Sequence, residues 1–322
     1  MSVLRVGQKR SELLADLAEM YYNQGLTQNQ IAKKIGIDRS MVSRLLAEAR
    51  RQGIVEIRIT RSFSFHHQLG AQLAEQFGLQ QACVLINRDE DYNILLQRLG
   101  MAGAGLLEQF LAPKMVLGLS WGTAVGALVE AVEVEQPIEM KIVQLVGAMG
   151  ALNSSYDGHG LVQRLAQKLG CEGYFLNAPF IVENSQIAQA LMQNQNVQEA
   201  LGLARQCNVA VMGIGSTQPQ FSSFYQAGYV PLDELAELRA SGLVGDVCGH
   251  HFNLQGETPD IEFQHRTVTI PAQDLKAIPV RIGVAGGAGK AETILGAMRA
   301  GFVNILVTDE NAARSVLALT GN

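Results

Sequence analysis

Short apolar runs that end in a small-residue turn and then enter an amphipathic segment recur through most of this 322-residue chain. KMVLGL (114–119) leads through SWGTA into VGALVEAV; KIVQLVG (141–147), VAVMGIGS (209–216), AIPVRIGVAGGAGK (277–290) and VNILVTD (303–309) begin the same way. Strands buried on both faces read as continuous apolar runs, and parallel strands must be joined by crossovers, usually helices. HHQLGAQLAEQFGL, YNILLQRLGMAGAGLLEQFL, HGLVQRLAQKLG and VQEALGLARQCN carry the helical period that such crossovers need. Residues 62–322 are therefore expected to form an α/β domain: a doubly wound, mostly parallel sheet covered on both faces. Ligands of such sheets bind beyond the carboxyl ends of the strands. The glycine turns GLSWGTA, VGAMGAL, MGIGS, VGDVCG and AGGAGK are placed at those ends.

The first 61 residues break the pattern. They hold 11 Lys and Arg against 6 Asp and Glu, a net +5, whereas residues 62–322 hold 14 against 24, a net −10. A basic module on an acidic body points to a phosphate backbone as partner. SELLADLAEMYYNQG places Leu13, Leu14, Leu17, Met20 and Tyr21 on one helical face, and Gly25 stops that helix. Thr27 and Gln30 have capping-box spacing ahead of Ile31, Ala32 and Ile35, and Gly36 permits a sharp turn. Asp38 can cap a third helix in which Val42, Leu45, Leu46 and Ala49 form the apolar stripe. The opposite face carries Arg39, Ser40, Ser43 and Arg44. Gly53 ends this helix, and IVEIRI alternates as a short strand, half of a wing.

Two short helices about a glycine turn, with polar residues at the start of the second, make a helix-turn-helix whose second helix enters the major groove. The candidate DNA contacts are Thr27, Gln28, Arg39, Ser40, Ser43 and Arg44. Either arginine could read a guanine edge bidentately or grip phosphate, and Lys33 and Lys34 on the preceding helix suit phosphates. Residues 1–61 are thus expected to be a DNA-binding domain.

Several chemistries are excluded. AGGAGK lacks the GxxxxGK[ST] spacing of a triphosphate loop and has Ala291 where a magnesium-binding hydroxyl would stand. MGIGS lacks the rest of a dinucleotide fingerprint. No nucleophile elbow or clustered acid–base motif marks an enzyme, and the histidines His159, His250 and His251 lack a third metal ligand at sensible spacing, so no cofactor and no metal are expected. The four cysteines show no CxxC spacing, and no apolar run approaches the ~20 residues that span a membrane, so a cytoplasmic protein with free thiols is expected, associated with the nucleoid through DNA.

YYNQGLTQNQIAKKIGIDRSMVSRLLAEARRQGIVEIRI, GLSWGTA, VGDVCGHHFNLQG and IPVRIGVAGGAGKAETILGAMRAGFVNILVTDE together resemble the SorC family of bacterial transcriptional regulators, sometimes grouped with the DeoR type. The resemblance implies a winged helix-turn-helix joined to a sugar-binding domain related to phosphosugar isomerases and CoA transferases. It also implies a homotetramer whose operator affinity a sugar or sugar phosphate controls. Carried over to this chain, the phosphate end of an effector would meet Ser120, Gly122 and Thr123, with Lys290 supplying a positive charge and Asp246 accepting from sugar hydroxyls. Gly147 joins this set from the turn after KIVQLVG. That turn reads GAMGA, without the arginine that phosphate-binding relatives sometimes place there, and Ala124 replaces a second hydroxyl after Thr123. Capping alone could explain Ser120 and Thr123, turn formation Asp246, and core packing Trp121. A cation at the helix start around Lys290 conflicts with the helix dipole unless an anion is present. Two rival readings remain: an isomerase-like enzyme with an appended DNA-binding domain, and a constitutive DNA-binding protein whose body only oligomerises.

Overall fold

The computed structural model describes residues 2–55, 64–86, 91–150 and 156–321. The chain divides into two compact units, Met1–Ser62 and Phe63–Asn322.

In the first unit α1 (Ser2–Ala18) starts well before the expected Ser11 and runs into a π-helical turn, Glu19–Asn23. Gly25 takes a φ of +68° and reverses the chain into α2 (Gln28–Ile35). Thr27 and Gln30 form the capping box, each side chain serving the other's backbone N–H, and Gly36 closes α2 in the left-handed conformation. The next helix, α3, spans Arg39–Arg51; Asp38 stands at its N-cap position without a side-chain cap bond. Leu17, Ala18, Ile31, Ala32, Val42 and Leu46 make the small core. Leu13 does not join it. Leu14 and Leu17 are fully buried, and Leu13, one helical step (100°) from Leu14, is left 43% exposed. The wing expected from IVEIRI lies, beyond Val55, outside the described residues.

The second unit contains strands β1 (Gln81–Leu85), β2 (Val116–Leu119), β3 (Lys141–Gln144), β4 (Glu172–Tyr174), β5 (Val209–Gly213), β6 (Leu243–Val247), β7 (His250–Asn253), β8 (Val280–Val284) and β9 (Ile305–Asp309). Seven of them form one sheet in the order β1-β9-β8-β5-β2-β3-β4, and every pairing in it is parallel. Helices α5 (Tyr92–Leu107), α6 (Thr123–Ala131) and α7 (Gly158–Leu169) belong to its crossovers, whereas α4 (His67–Phe77) precedes β1 and packs against it. Two buried clusters sandwich the sheet, one around Phe180, Phe252 and Phe302, the other around Leu99, Leu107, Leu117 and Leu128. From β2 the chain builds outward through β3 and β4, then returns to β2's other side with β5 and continues through β8 and β9. The direction of winding therefore reverses between β2 and β5, where an open sheet leaves a crevice beyond its strand ends.

β6 and β7 stand apart as an antiparallel hairpin. VGDVCG is thus not a strand-to-helix turn as its glycines suggest. Cys248 (φ +53°) and Gly249 (φ +81°) form a two-residue turn with both φ positive, the geometry that matches the twist of a tight hairpin. Among the described residues no helix is long and apolar enough to cross a membrane.

Candidate functional site

The crevice between β2 and β5 opens into a cleft of about 580 Å³, counting its space open to solvent. Three strand ends supply its walls: Ser120–Ala124 just after β2, Gly213–Gly215 from the last residue of β5 onward and Val284–Gly286 from the last residue of β8 onward. Asp246 enters from the hairpin and Lys290 from the glycine loop after β8. Ser120, Gly122, Thr123, Asp246 and Lys290, far apart in sequence, are thereby brought to one cavity. Gly147 is not among its lining residues. It donates to Val268 O, and a Cβ placed on it would lie 2.7 Å from the Phe180 backbone, so close packing explains this glycine.

Ser120 directly follows β2; it is 2% exposed and its Oγ accepts from Gly213 N at 3.4 Å, tying the β2 turn to β5. Gly122 follows with φ +112°, a conformation that a side chain would strain, and α6 starts at Thr123 with no side-chain cap. The first-turn N–H groups of α6 carry the positive end of the helix dipole into the cleft. Trp121 packs on Phe224, ring centroids 5.2 Å apart, and also lines the cavity, so core packing and contact with a ligand are compatible there.

Lys290 is 8% exposed, in the short 3-10 turn Ala288–Lys290 ahead of the helix Ala291–Arg299. Its ammonium donates to Ile214 O at 2.8 Å. Burial pulls its pKa down to about 8, against the opposing effect of Asp246. Asp246 is 6% exposed and accepts from Gly249 N at 3.0 Å. Burial pushes its carboxyl up to about 6, while the Gly249 hydrogen bond, Lys290 and His250 pull the other way. A Cβ at Gly215 would lie 1.9 Å from Asp246 Oδ1, so the loop after β5 must be glycine for the carboxylate to reach the crevice. The site holds one buried cation and one buried anion, each held against its desolvation cost.

Sequence reasoning missed Asp309. It is fully buried at the end of β9, where Oδ1 accepts from Gly287 N at 2.5 Å and Oδ2 from Asn311 N and Ala312 N. One carboxylate thus caps the last helix and holds the glycine loop in front of Lys290; an Asp directly before a helix was the available signal. Tyr92, at the start of α5, and Phe224 complete the wall from segments that carry no motif. His159 is stacked on Phe175 at 4.1 Å, outside the cleft lining. His250 Nε2 bonds with Ile270 O and His251 Nδ1 with Gly249 O, both buried beside phenylalanines.

In the first unit Arg39, Ser40, Ser43 and Arg44 are exposed on one side of α3, and Arg44 Nε reaches Ser40 O at 3.5 Å. Lys33 and Lys34 are exposed on α2. Gln28 is half-buried, and the Thr27 hydroxyl is engaged with Gln30 in the capping box. Arg10 makes a bidentate pair with Glu48, at 3.0 and 2.9 Å, which bolts α1 to α3.

A family model described as "Putative sugar-binding domain" matches residues 61–318, and one described as "MarR family" matches residues 17–62. The sorbitol operon regulator of Klebsiella pneumoniae is 32% identical over 307 residues, covering 95% of this chain and 97% of that protein. The transcriptional regulator LsrR of Escherichia coli O139:H28 is 32% identical over 314 residues, 97% of this chain and 96% of that one. The crystal structure of the full-length sorbitol operon regulator SorC from K. pneumoniae matches with a TM-score of 0.71 at 31% identity, over 95% of this chain and 99% of that chain. The likeness runs through both units, and the chain belongs to the SorC family of sugar-responsive transcriptional regulators.

Proposed function

We propose that this chain is a DNA-binding regulator of a carbohydrate-utilisation operon, and that a sugar or sugar phosphate in the β2–β5 cleft sets its affinity for the operator. The observation that carries this reading is the convergence of Ser120, Gly122, Thr123, Asp246 and Lys290 on one switch-point cavity, in a chain whose other unit exposes Arg39, Ser40, Ser43 and Arg44 on a helix. Names such as sorbitol operon regulator among its relatives support the same class of effector.

The cleft suits binding and release. An anion would meet the first turn of α6 and Lys290, and hydroxyl groups would donate to Asp246. The body assembles as a homotetramer that presents several helix-turn-helix units to spaced half-sites, and the effector biases arrangements of different operator affinity. Such coupling is reciprocal: operator DNA changes effector affinity by the same factor. In this reading the effector leaves unchanged.

The test is gel retardation of operator DNA by the full chain, with and without each member of a sugar and sugar phosphate panel, followed by assay of the same compounds for turnover. A compound that shifts operator affinity and is recovered intact is the expected outcome. Turnover of the compound would favour an isomerase-like enzyme instead. Operator binding indifferent to every compound that stabilises the body would leave it an oligomerisation platform.

A further inference from the structure

The seven-stranded sheet has two edges, and the chain treats them differently. β4 is three residues long, carries Glu172, and pairs with β3, whose Lys141 ammonium lies 5.3 Å from the Tyr174 ring centre. Short length and charge protect an edge against a further strand. β1, at the opposite edge, has five residues, QACVL, with no charge and no proline. Residues 64–66 cover its outer side only towards its end, where His66 N donates to Val84 O and Ile86 N to Ser64 O. The start of β1 faces a groove of about 1200 Å³, counting space open to solvent, whose other walls are α4 and α5.

This groove is free of charge in a charged body. Its sixteen described lining residues include no Lys, Arg, Asp or Glu, although residues 62–322 hold 14 basic and 24 acidic side chains. α5 has one charged residue, Arg98, and that side chain is turned inward, 5% exposed and donating to Ile86 O at 3.0 Å. The solvent side of α5 is left to Ile94 and Met101, 45% and 38% exposed and two turns apart. A helix without charge on its outer face is one that the fold or an assembly covers.

Gly105 continues that face one turn beyond Met101. The other two glycines of α5 are dictated by packing: a Cβ on Gly100 would lie 2.4 Å from the Ala127 backbone, and one on Gly103 2.7 Å from the Leu128 side chain. At Gly105 a Cβ would meet nothing within 4 Å. Glycine within a helix is destabilising relative to alanine, and no contact among the described residues calls for it here. A backbone approaching α5 from outside does.

We infer that the start of β1, the groove and the Met101–Gly105 side of α5 form the face by which two copies of this chain meet about a two-fold axis. Two bodies of net −10 repel each other, and this face lets them meet without setting like charges together. A different partner of this acidic body would be selected by basic groups, and the groove offers them no counter-charge. A two-fold contact must also complement itself. Gln80, Gln81 and Gln109, all exposed along the groove, do so, because each amide carries both donors and an acceptor. The inference rests on the homotetramer proposed above and names one of the faces that four copies need.

Gly105→Glu tests it in the full-length protein, because the new side chain enters open space in the single chain and should leave its fold, read by far-UV circular dichroism, intact. In sedimentation velocity at micromolar concentration the mass should fall from four copies to two. Amide hydrogen exchange should speed at least tenfold over Gln81–Cys83 and stay the same over β4. Met101→Lys, at a second exposed position, should act alike, and dilution of the parent through its dissociation should speed exchange in the same segment. Unchanged mass and exchange in both variants overturns the inference, leaving the groove to a different partner and the homotetramer to other faces. A halved mass without faster exchange over Gln81–Cys83 places the lost contact elsewhere and overturns it as well. A parent that is monomeric at micromolar concentration overturns both the face and the homotetramer.

Discussion

The two units of this chain hold their charges in opposite ways. On α3 the basic and hydroxyl groups stand in water, supported from behind by Val42, Leu46 and Ala49. In the cleft Lys290 and Asp246 are stripped of water and held by a backbone carbonyl and a backbone N–H. A helix face that must meet DNA keeps its groups solvated until the partner arrives, and charge there costs the fold little. A pocket that must recognise a small molecule prepays desolvation, so binding and stability become entangled in the same residues. Substitutions in the reader should therefore change function without stability, whereas those in the cleft should change both.

The largest effect expected is at Lys290. Lys290→Met leaves Asp246 buried without its counter-charge and should cost the body about 3 kcal/mol, seen as a lower Tm. Adding Asp246→Asn should restore part of that loss but no ligand-induced stabilisation; a Lys290→Met protein as stable as the parent would break the contrast. Next, Arg39→Ala and Arg44→Ala should each weaken operator binding by about 1–3 kcal/mol if the side chain reads a base, with the body's Tm unchanged. If an arginine meets phosphate instead, the slope of log K against log salt should fall by about one unit.

Titration sharpens the comparison further. Asp246 lies above its ordinary 3.8, so the folded state favours its protonated form, and stability is lost as pH rises from 3.8 to about 6. Lys290 lies below its ordinary 10.5, so the folded state favours its neutral form, and stability is lost as pH falls from 10.5 to about 8. An anionic ligand needs Lys290 charged. Its affinity should therefore drop about tenfold per pH unit above about 8, with proton uptake measurable by calorimetry in buffers of different ionisation enthalpy. The smallest effect should come from Thr27→Ala, which opens the capping box of α2 and should cost the first unit about 1 kcal/mol, while Thr27→Ser should not.

The same contrast explains what could be read in the chain before its structure. The helix-turn-helix is local: cap, glycine turn and stripe lie within thirty residues, and each is a short-range rule. The individual strands were legible for a similar reason, as apolar runs between glycines. Their order was not, because only the packing of distant crossovers places β5 beside β2. VGDVCG misled because a hairpin turn and a strand-to-helix turn draw on glycine alike, and only the partner strand His250–Asn253 tells them apart. In the site, Ser120, Thr123 and Lys290 sit in glycine-marked turns and could be singled out. Tyr92 and Phe224 come from segments whose pattern says nothing about where the sheet will carry them.

The short helix Ser223–Gln226 lies between β5 and β6, and its own backbone bonds are local, Gln226 to Ser222 and Gly228 to Tyr225. The wall that Ser223 and Gln226 give to the cavity beside Trp121 and Thr123 is therefore carried off the sheet. Redesign of this protein as a biosensor could randomise Ser223 and Gln226 for new analytes while leaving Ser120, Asp246, Lys290 and the β-strands as a fixed chassis.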